Sequence, residues 1–397
     1  MKDDNARRIR TNRVFLADDA CDLDDFRTLI DRTVDPADYP FAIGVASNAL
    51  VYDGDAVRRA SDHPETRREI MAEWVEALAD GPGVIVIRKA FADLRPIEAA
   101  NPHFWAIIEE QRRDPSRHGD HFAKPGANDR VWNALEKLCL ADPETFAAYY
   151  GNAVIALASE AWLGPFYQIT SQLNVVNPGG EAQVPHRDYH MGFQTAAEIE
   201  RYPAHAHRLS PMLTLQGAVA HCDMPLESGP TLYLPFSQAY PPGYLATLRD
   251  DFRAEFEARR VQLALACGDA VFFNPALFHA AGSNRSKNIR RIANLLQVSS
   301  AYGRAMESVD RLKMSLALYP VLQKLLAAKA LSAGDADNAI AASAEGYAFP
   351  TNLDRDPAIG GLAPQSQQAL MRQALAEGWS SEVFAEAARA QAWRRLT

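Results

Sequence analysis

The chain has 397 residues, 48% hydrophobic and 23% charged, with 22 glycines and 24 prolines. That composition excludes collagen-like repeats, wholesale disorder and a pure coiled coil. Its 41 Lys and Arg against 50 Asp and Glu leave a formal charge of -9, which excludes a broad basic face for nucleic acid, since neutralised phosphates supply most of that affinity.

The cysteines Cys21, Cys139, Cys222 and Cys267 form no C-x-x-C pair, the pattern of reduced thiols rather than a disulfide framework. Met1 to Arg13 is charged and lacks an apolar core. No apolar run approaches the ~20 residues that span a bilayer. A cytoplasmic protein with no membrane partner is expected.

Residues 1–60, rich in Asp and Arg, read as an irregular N-terminal wrap. Within Glu65 to Ala79, Ile70, Trp74, Val75 and Leu78 recur at helical spacing. Gly81-Pro82-Gly83 breaks that helix, and Val84 to Ile87 reads as a buried strand. Residues 93–163 read as mostly helical, broken by the polar stretch Arg112 to Arg130. After Gly164-Pro165 short strands follow one another: Gln168 to Val176, Met212 to Ala220, Thr231 to Leu234, the alternating Val261 to Ala266, Val271 to Phe273, and Arg291 to Val298. Many short strands between turn residues predict an antiparallel sandwich or barrel. Leu312, Leu316, Tyr319 and Leu322 mark a later helix that Pro320 should interrupt. A loop follows at Gly346 to Asn352, then at least one helix in Ser366 to Trp393. The predicted fold class is a mainly β core with α flanks. Its divisions are a 1–80 extension, an 81–304 barrel domain with a helical insert, and a 305–397 helical extension.

The residues able to carry chemistry concentrate in the β segment. His186 and Asp188 form an H-x-D within Val184 to His190, and His279 follows a later strand. Residues two apart on a strand share a face, so this pair can chelate one ion while a second strand delivers His279. Two imidazoles and one carboxylate make the facial triad that leaves open positions on Fe(II). Two further H-x-D runs lack these surroundings. His118-Gly119-Asp120 lies in a polar stretch, and in His221-Cys222-Asp223 the Asp enters a turn, where it commonly caps backbone amides. Downstream of His279, Arg290 and Arg291 lead into a strand, and a guanidinium pairs bidentately with a carboxylate.

These pieces, taken in order, resemble the phytanoyl-CoA dioxygenase family of Fe(II)/2-oxoglutarate oxygenases. Gly83-Val84-Ile85-Val86 matches the family's opening strand, and Pro185-His186-Arg187-Asp188 its H-x-D. Glu227-Ser228-Gly229-Pro230 with Pro235-Phe236-Ser237 is similar to its E-N-G-P…P-G-S-H loop. Cys267-Gly268-Asp269 matches its G-D turn, and His279, Asn284, Ser286 and Arg290 its H…N-x-S…R. The resemblance covers roughly residues 80–300. Ser228, Phe236, Gln238 and Arg187 depart from the usual residues without removing a ligand, so the substrate is not read from the family's name.

The resemblance implies a double-stranded β-helix, a jelly-roll of the cupin kind, holding Fe(II) on His186, Asp188 and His279. It implies 2-oxoglutarate as cosubstrate, O2 as oxidant, and hydroxylation or desaturation of a small molecule with release of succinate and CO2. Related halogenases lack the carboxylate at the position of Asp188. Arg290, eleven residues after His279, is assigned to the 2-oxoglutarate carboxylate. A one-residue bulge would exchange it with Arg291.

Gln172 and Asn174 on the preceding strand offer contacts to 2-oxoglutarate or substrate, while turn hydrogen bonding competes for Asn177. Thr214 and Gln216 share one face of the next strand. His190 would face substrate if the strand runs on past Asp188, and is otherwise a core or supporting histidine. His205-Ala206-His207 reads as a solvated loop, and Phe104, Trp105, Trp132 and Trp162 as core. The helical flanks could form a lid or a homodimer surface. Two alternatives share the barrel: a cupin-like metalloprotein without 2-oxoglutarate chemistry, and a non-catalytic small-molecule-binding protein.

Overall fold

The computed structural model describes residues 10–113 and 126–397; the His118-Gly119-Asp120 run lies outside them. The strands are β1 (Gly44–Ala46), β2 (Ala49–Asp53), β3 (Val84–Arg88), β4 (Asn128–Val131), β5 (Gln168–Val176), β6 (Thr214–Ala220), β7 (Leu232–Leu234), β8 (Val261–Gln262), β9 (Ala270–Phe273), β10 (Phe278–Ala280) and β11 (Arg291–Ser299). Eight form one sheet in the order β1-β2-β3-β9-β6-β11-β5-β4, and β10-β7-β8 form a second.

The period of two explains how the sheets face each other. On the small sheet Tyr233 and His279 are paired across β7 and β10, and they point inward. Tyr233 joins Val84 and Val86 of β3 and Val271 and Phe273 of β9 in the core between the sheets. The alternate residues Leu232, Leu234, Phe278 and Ala280 point outward. They pack beneath Phe26 of the helix Leu23–Ile30 and Phe252 and Phe256 of the helix Asp250–Arg259. Phe26 contacts the rings of Tyr240, Phe252 and Phe278 at 5.0–5.1 Å. This two-sheet jelly-roll is the expected double-stranded β-helix.

The N-terminal segment is more ordered than a wrap. Asp22 caps the helix Leu23–Ile30 by accepting from the amides of Asp24 and Asp25, and β2 runs parallel to β3, extending the large sheet. Short segments such as Gly44-Val45-Ala46 carry too little alternation to be read without their partner strand.

By contacts the chain divides into two interleaved units. One comprises the described residues of Met1–Ala92, His118–Arg130 and Asn174–Leu295; the other, those of Asp93–Arg117, Val131–Leu173 and Leu296–Thr397. These differ from the sequential blocks expected at residues 80 and 304, because the chain alternates between the two cores rather than finishing one first. The second unit is largely helical, with Phe104, Phe146, Tyr149, Leu318 and Tyr319 fully buried, and Trp105, Trp132 and Trp162 half-buried. Its helix Arg311–Ala327 continues through Pro320, where the sequence suggested a break. The stacked pair Tyr319–Phe384, 4.1 Å between centroids, packs beside the proline. Among the described residues no helix is long and apolar enough to cross a membrane.

Candidate metal centre

His186 lies on an extended segment that meets β10 through one antiparallel bridge to His279. The His186 amide donates to the His279 carbonyl at 3.0 Å, and the reverse bond is 3.2 Å. This bridge sets the two rings 4.5 Å apart. His186 Nδ1 lies 2.8 Å from the Val184 carbonyl and His279 Nδ1 2.8 Å from the Leu277 carbonyl. A carbonyl only accepts, so each Nδ1 carries a proton, which leaves Nε2 as the ring atom available to a metal. Those Nε2 atoms face Asp188, at 3.6 Å from Oδ1 for His186 and 3.4 Å from Oδ2 for His279. The three ligand atoms lie within 4.8 Å of one another, and this is the only such group among the described residues. Two imidazoles, oriented by carbonyls, and a carboxylate fit a divalent iron site.

The surrounding groups hold these donors in their binding forms. Burial pushes the Asp188 carboxyl up, but the His186 and His279 imidazoles and the Gln216 amide outweigh it and hold it well below the usual carboxylate range. Burial, then the neighbouring His279, lowers the pKa of His186, which favours the neutral imidazole. The Asp188 amide donates to Pro275 at 2.9 Å.

Arg187, between the two ligands, points the other way into the apolar layer outside the small sheet. Its Nη2 donates to the carbonyls of Ser237, Gln238 and Tyr240 at 2.5, 3.3 and 2.9 Å. Its guanidinium lies between the rings of Tyr244 and Phe278, 5.2 Å from each. Burial lowers its pKa to about 10, so it stays charged. A Cβ on Gly243 would fall 1.9 Å from Arg187 Cζ, and one on Gly192 2.0 Å from the Arg187 carbonyl oxygen. Both glycines make room for this clamp.

The strand does not run on past Asp188. Tyr189 and His190 both adopt positive φ, 45° and 51°, and a 3-10 turn, His190–Phe193, follows. The turn brings His190 Nε2 to 3.4 Å from Thr214 Oγ1. Thr214 shares a face of β6 with Gln216, which donates to Asp188 Oδ2 at 2.6 Å. His190 therefore stands beside the metal-ligand group, by way of a turn rather than a continuing strand.

Of the two neighbouring arginines, the structure turns the second inward. Arg290 precedes β11 and is exposed, whereas Arg291 opens β11 and is buried. The turn before β11 is the reason. Asn284 accepts from the amide and hydroxyl of Ser286 and donates to the Ile289 carbonyl, closing a compact loop that delivers the following strand one residue later. Arg291, Ala293 and Leu295 line a cavity with Ala218, Thr231 and Tyr233. Arg291 Nη1 donates to the Gly229 carbonyl and Nη2 to Asn174 Oδ1 at 3.5 Å. Its Nε is buried without a partner. No carboxylate pairs with it among the described residues, and burial lowers its pKa to about 10.

Asn174 thus meets the buried arginine, while Gln172 lies in the helical unit and donates to Met306 Sδ at 3.3 Å. Other motif residues are architectural. Asp269 accepts from Arg88 at 2.5 Å and from the Lys89 amide at 2.9 Å. The Gly229 carbonyl meets Arg291, and φ is +75° there. Asp223 caps the Cys267 amide at 2.9 Å, as a turn residue should. His207 is buried, 3.2 Å from the Tyr202 carbonyl, not in a solvated loop, because the short helix Ala204–Leu209 turns it toward Tyr244. The sequence assigns no role to Gln216 and does not reveal the clamp made by Arg187. Inward parity with Thr214 was the available signal for Gln216; Arg187 carried none.

Comparison with known proteins bears on the same residues. The family model of phytanoyl-CoA dioxygenase (PhyH) matches residues 70–292, a span that contains His186, Asp188, His279 and Arg291. "Dioxygenase trt7" of Aspergillus terreus is 30% identical over 245 residues, 60% of this chain and 74% of that protein. Among solved structures, the non-heme alpha ketoglutarate dependent epimerase SnoN is 19% identical over 60% of this chain and 84% of its own, with a TM-score of 0.37. The carbocyclase SnoK, also from nogalamycin biosynthesis, is 19% identical over 59% and 86%, with a TM-score of 0.43.

Proposed function

This chain belongs to the phytanoyl-CoA dioxygenase family, whose members are non-haem iron, 2-oxoglutarate-dependent oxygenases, and we propose that it hydroxylates a small-molecule substrate. The observation that carries the proposal is the convergence of two carbonyl-oriented imidazole Nε2 atoms and one buried carboxylate. In this reading His186, Asp188 and His279 hold Fe(II). Bound there, iron with 2-oxoglutarate and O2 supplies an oxidation in which CO2 leaves, one oxygen atom enters succinate and the other is available to the substrate.

Arg291, a buried cation without a carboxylate partner among the described residues, binds the distal carboxylate of 2-oxoglutarate, and Asn174 steadies its guanidinium. Low-dielectric surroundings strengthen such a pair and make it specific for an anion. His190 and Thr214 place the substrate beside Asp188, while the packed layer around Arg187 keeps the ligand-bearing segment fixed. Removal of two substrate hydrogens without oxygen delivery would give desaturation, and product mass distinguishes the two. The four free thiols support a reducing, cytoplasmic setting.

Anaerobic addition of Fe(II) and then 2-oxoglutarate tests the reading. Bidentate chelation gives a weak visible charge-transfer band, which should appear with the chain and vanish in His279→Ala. Metal uptake with no band on adding 2-oxoglutarate would contradict it.

A further inference from the structure

Gln216 touches the candidate centre without being a ligand. It lies on the inner face of β6, is buried, and donates from Nε2 to Asp188 Oδ2 at 2.6 Å. An ionised carboxylate only accepts, so the NH2 end must face Asp188 and Oε1 must point away. Oε1 is buried without a partner, so no second acceptor or donor pulls the amide off this alignment. Across the ladder Gln216 pairs with Phe273, whose ring packs edge-on to His279 at 4.8 Å. One antiparallel rung therefore supports two ligands from behind, through a hydrogen bond on one side and a ring contact on the other.

We propose that Gln216 is the positioning residue that makes Asp188 a one-oxygen ligand. Oδ2 also lies 3.4 Å from His279 Nε2, but the 2.6 Å bond from the amide holds it back, so the carboxylate presents Oδ1 to the metal and does not rotate to chelate through both oxygens. Three protein donor atoms then leave three positions on an octahedral ion, the number that 2-oxoglutarate and O2 together require. A carboxylate bound through both oxygens would take one of those positions. The inference rests on the metal reading above and adds the residue that sets the number of open sites.

Co(II), added without O2 to the full chain and to Gln216→Met, is the probe, because its visible absorption reports coordination number. Methionine keeps the length and burial of the side chain and removes the donor. The variant should bind Co(II) about 10–100-fold more weakly, the usual effect of losing a partner to a metal ligand. It should also show a smaller spectral response to 2-oxoglutarate, because a site is already filled. A side chain that served only to fill space would move neither readout. Affinity within twofold of the unaltered chain, with the same response to 2-oxoglutarate, would overturn the proposal. If the variant does not fold, a crystal structure of the unaltered Co(II) protein decides: Asp188 bound through Oδ1 alone supports the role, and binding through both oxygens overturns it. Failure of the unaltered chain to take up Co(II) would instead overturn the metal reading.

Discussion

Arg291 and Arg290 are neighbours in sequence with opposite surroundings. A buried guanidinium that loses its anion, or an anion that loses its guanidinium, costs about 3–5 kcal/mol, whereas an exposed ion pair is worth about 1 kcal/mol or less. Arg291→Ala should therefore raise the 2-oxoglutarate concentration needed for half-maximal succinate formation by two orders of magnitude or more (about 1.4 kcal/mol per tenfold). Arg290→Ala should change it by less than about fivefold. The sequence motif brought both arginines forward but favoured the one the structure leaves exposed, because the hydrogen bonds of Asn284 that close the preceding turn are a matter of side-chain geometry that spacing does not show. His190 shows the same limit. Its position beside the Asp188 group follows from two consecutive positive-φ residues, which the sequence does not announce. His190→Ala should leave the Fe(II)·2-oxoglutarate band intact while succinate forms without matching product, measured as a coupling ratio. Unchanged coupling with the authentic substrate would return His190 to a packing role.

At the scale of elements, the metal-bearing segment is fixed by Arg187 reaching three carbonyls of the Ser237–Tyr240 turn, over a glycine that admits no side chain. Gly243→Ala forces the guanidinium out and should cost at least the 1–3 kcal/mol typical of overpacking, measured by denaturant unfolding. Because the alanine acts by displacing Arg187, the double variant with Arg187→Ala should be markedly less destabilised than the sum of the two, a coupling above about 1 kcal/mol. Additivity would mean the glycine is needed for another reason. Elements with strong local patterns were legible: β5 runs over the residues predicted, and β3 and β11 start at the residues predicted, Val84 and Arg291. Those defined by partners were not. β2 is held by parallel pairing to β3, and the continuous helix through Pro320 is held by packing that outweighs one missing backbone donor.

For the whole molecule, His186, Asp188, His279 and Arg291 belong to one of two interleaved units, a partition no linear reading of composition could yield. Buried histidines tie the stability of that unit to pH. Burial lowers the pKa of His221 to about 3, below its unfolded value of about 6.5. The unfolded chain then binds a proton that the folded chain does not, so stability falls as pH drops from about 6.5 toward 3. His221→Asn should flatten the acid limb of an unfolding profile by up to about 1.4 kcal/mol per pH unit, and an unchanged slope would show that folding does not lower the His221 pKa.

The central claim is that His186, Asp188 and His279 hold an iron that splits O2 against 2-oxoglutarate. Its most direct test is the isotopic composition of succinate formed by the Fe(II)-loaded chain from 2-oxoglutarate under 18O2. The account predicts succinate carrying one 18O atom, and none above background from folded His186→Ala, Asp188→Ala or His279→Ala, since no ligand of the triad is spare. Succinate without the label, or labelled succinate formed at the unaltered rate by any of the three variants, would contradict it.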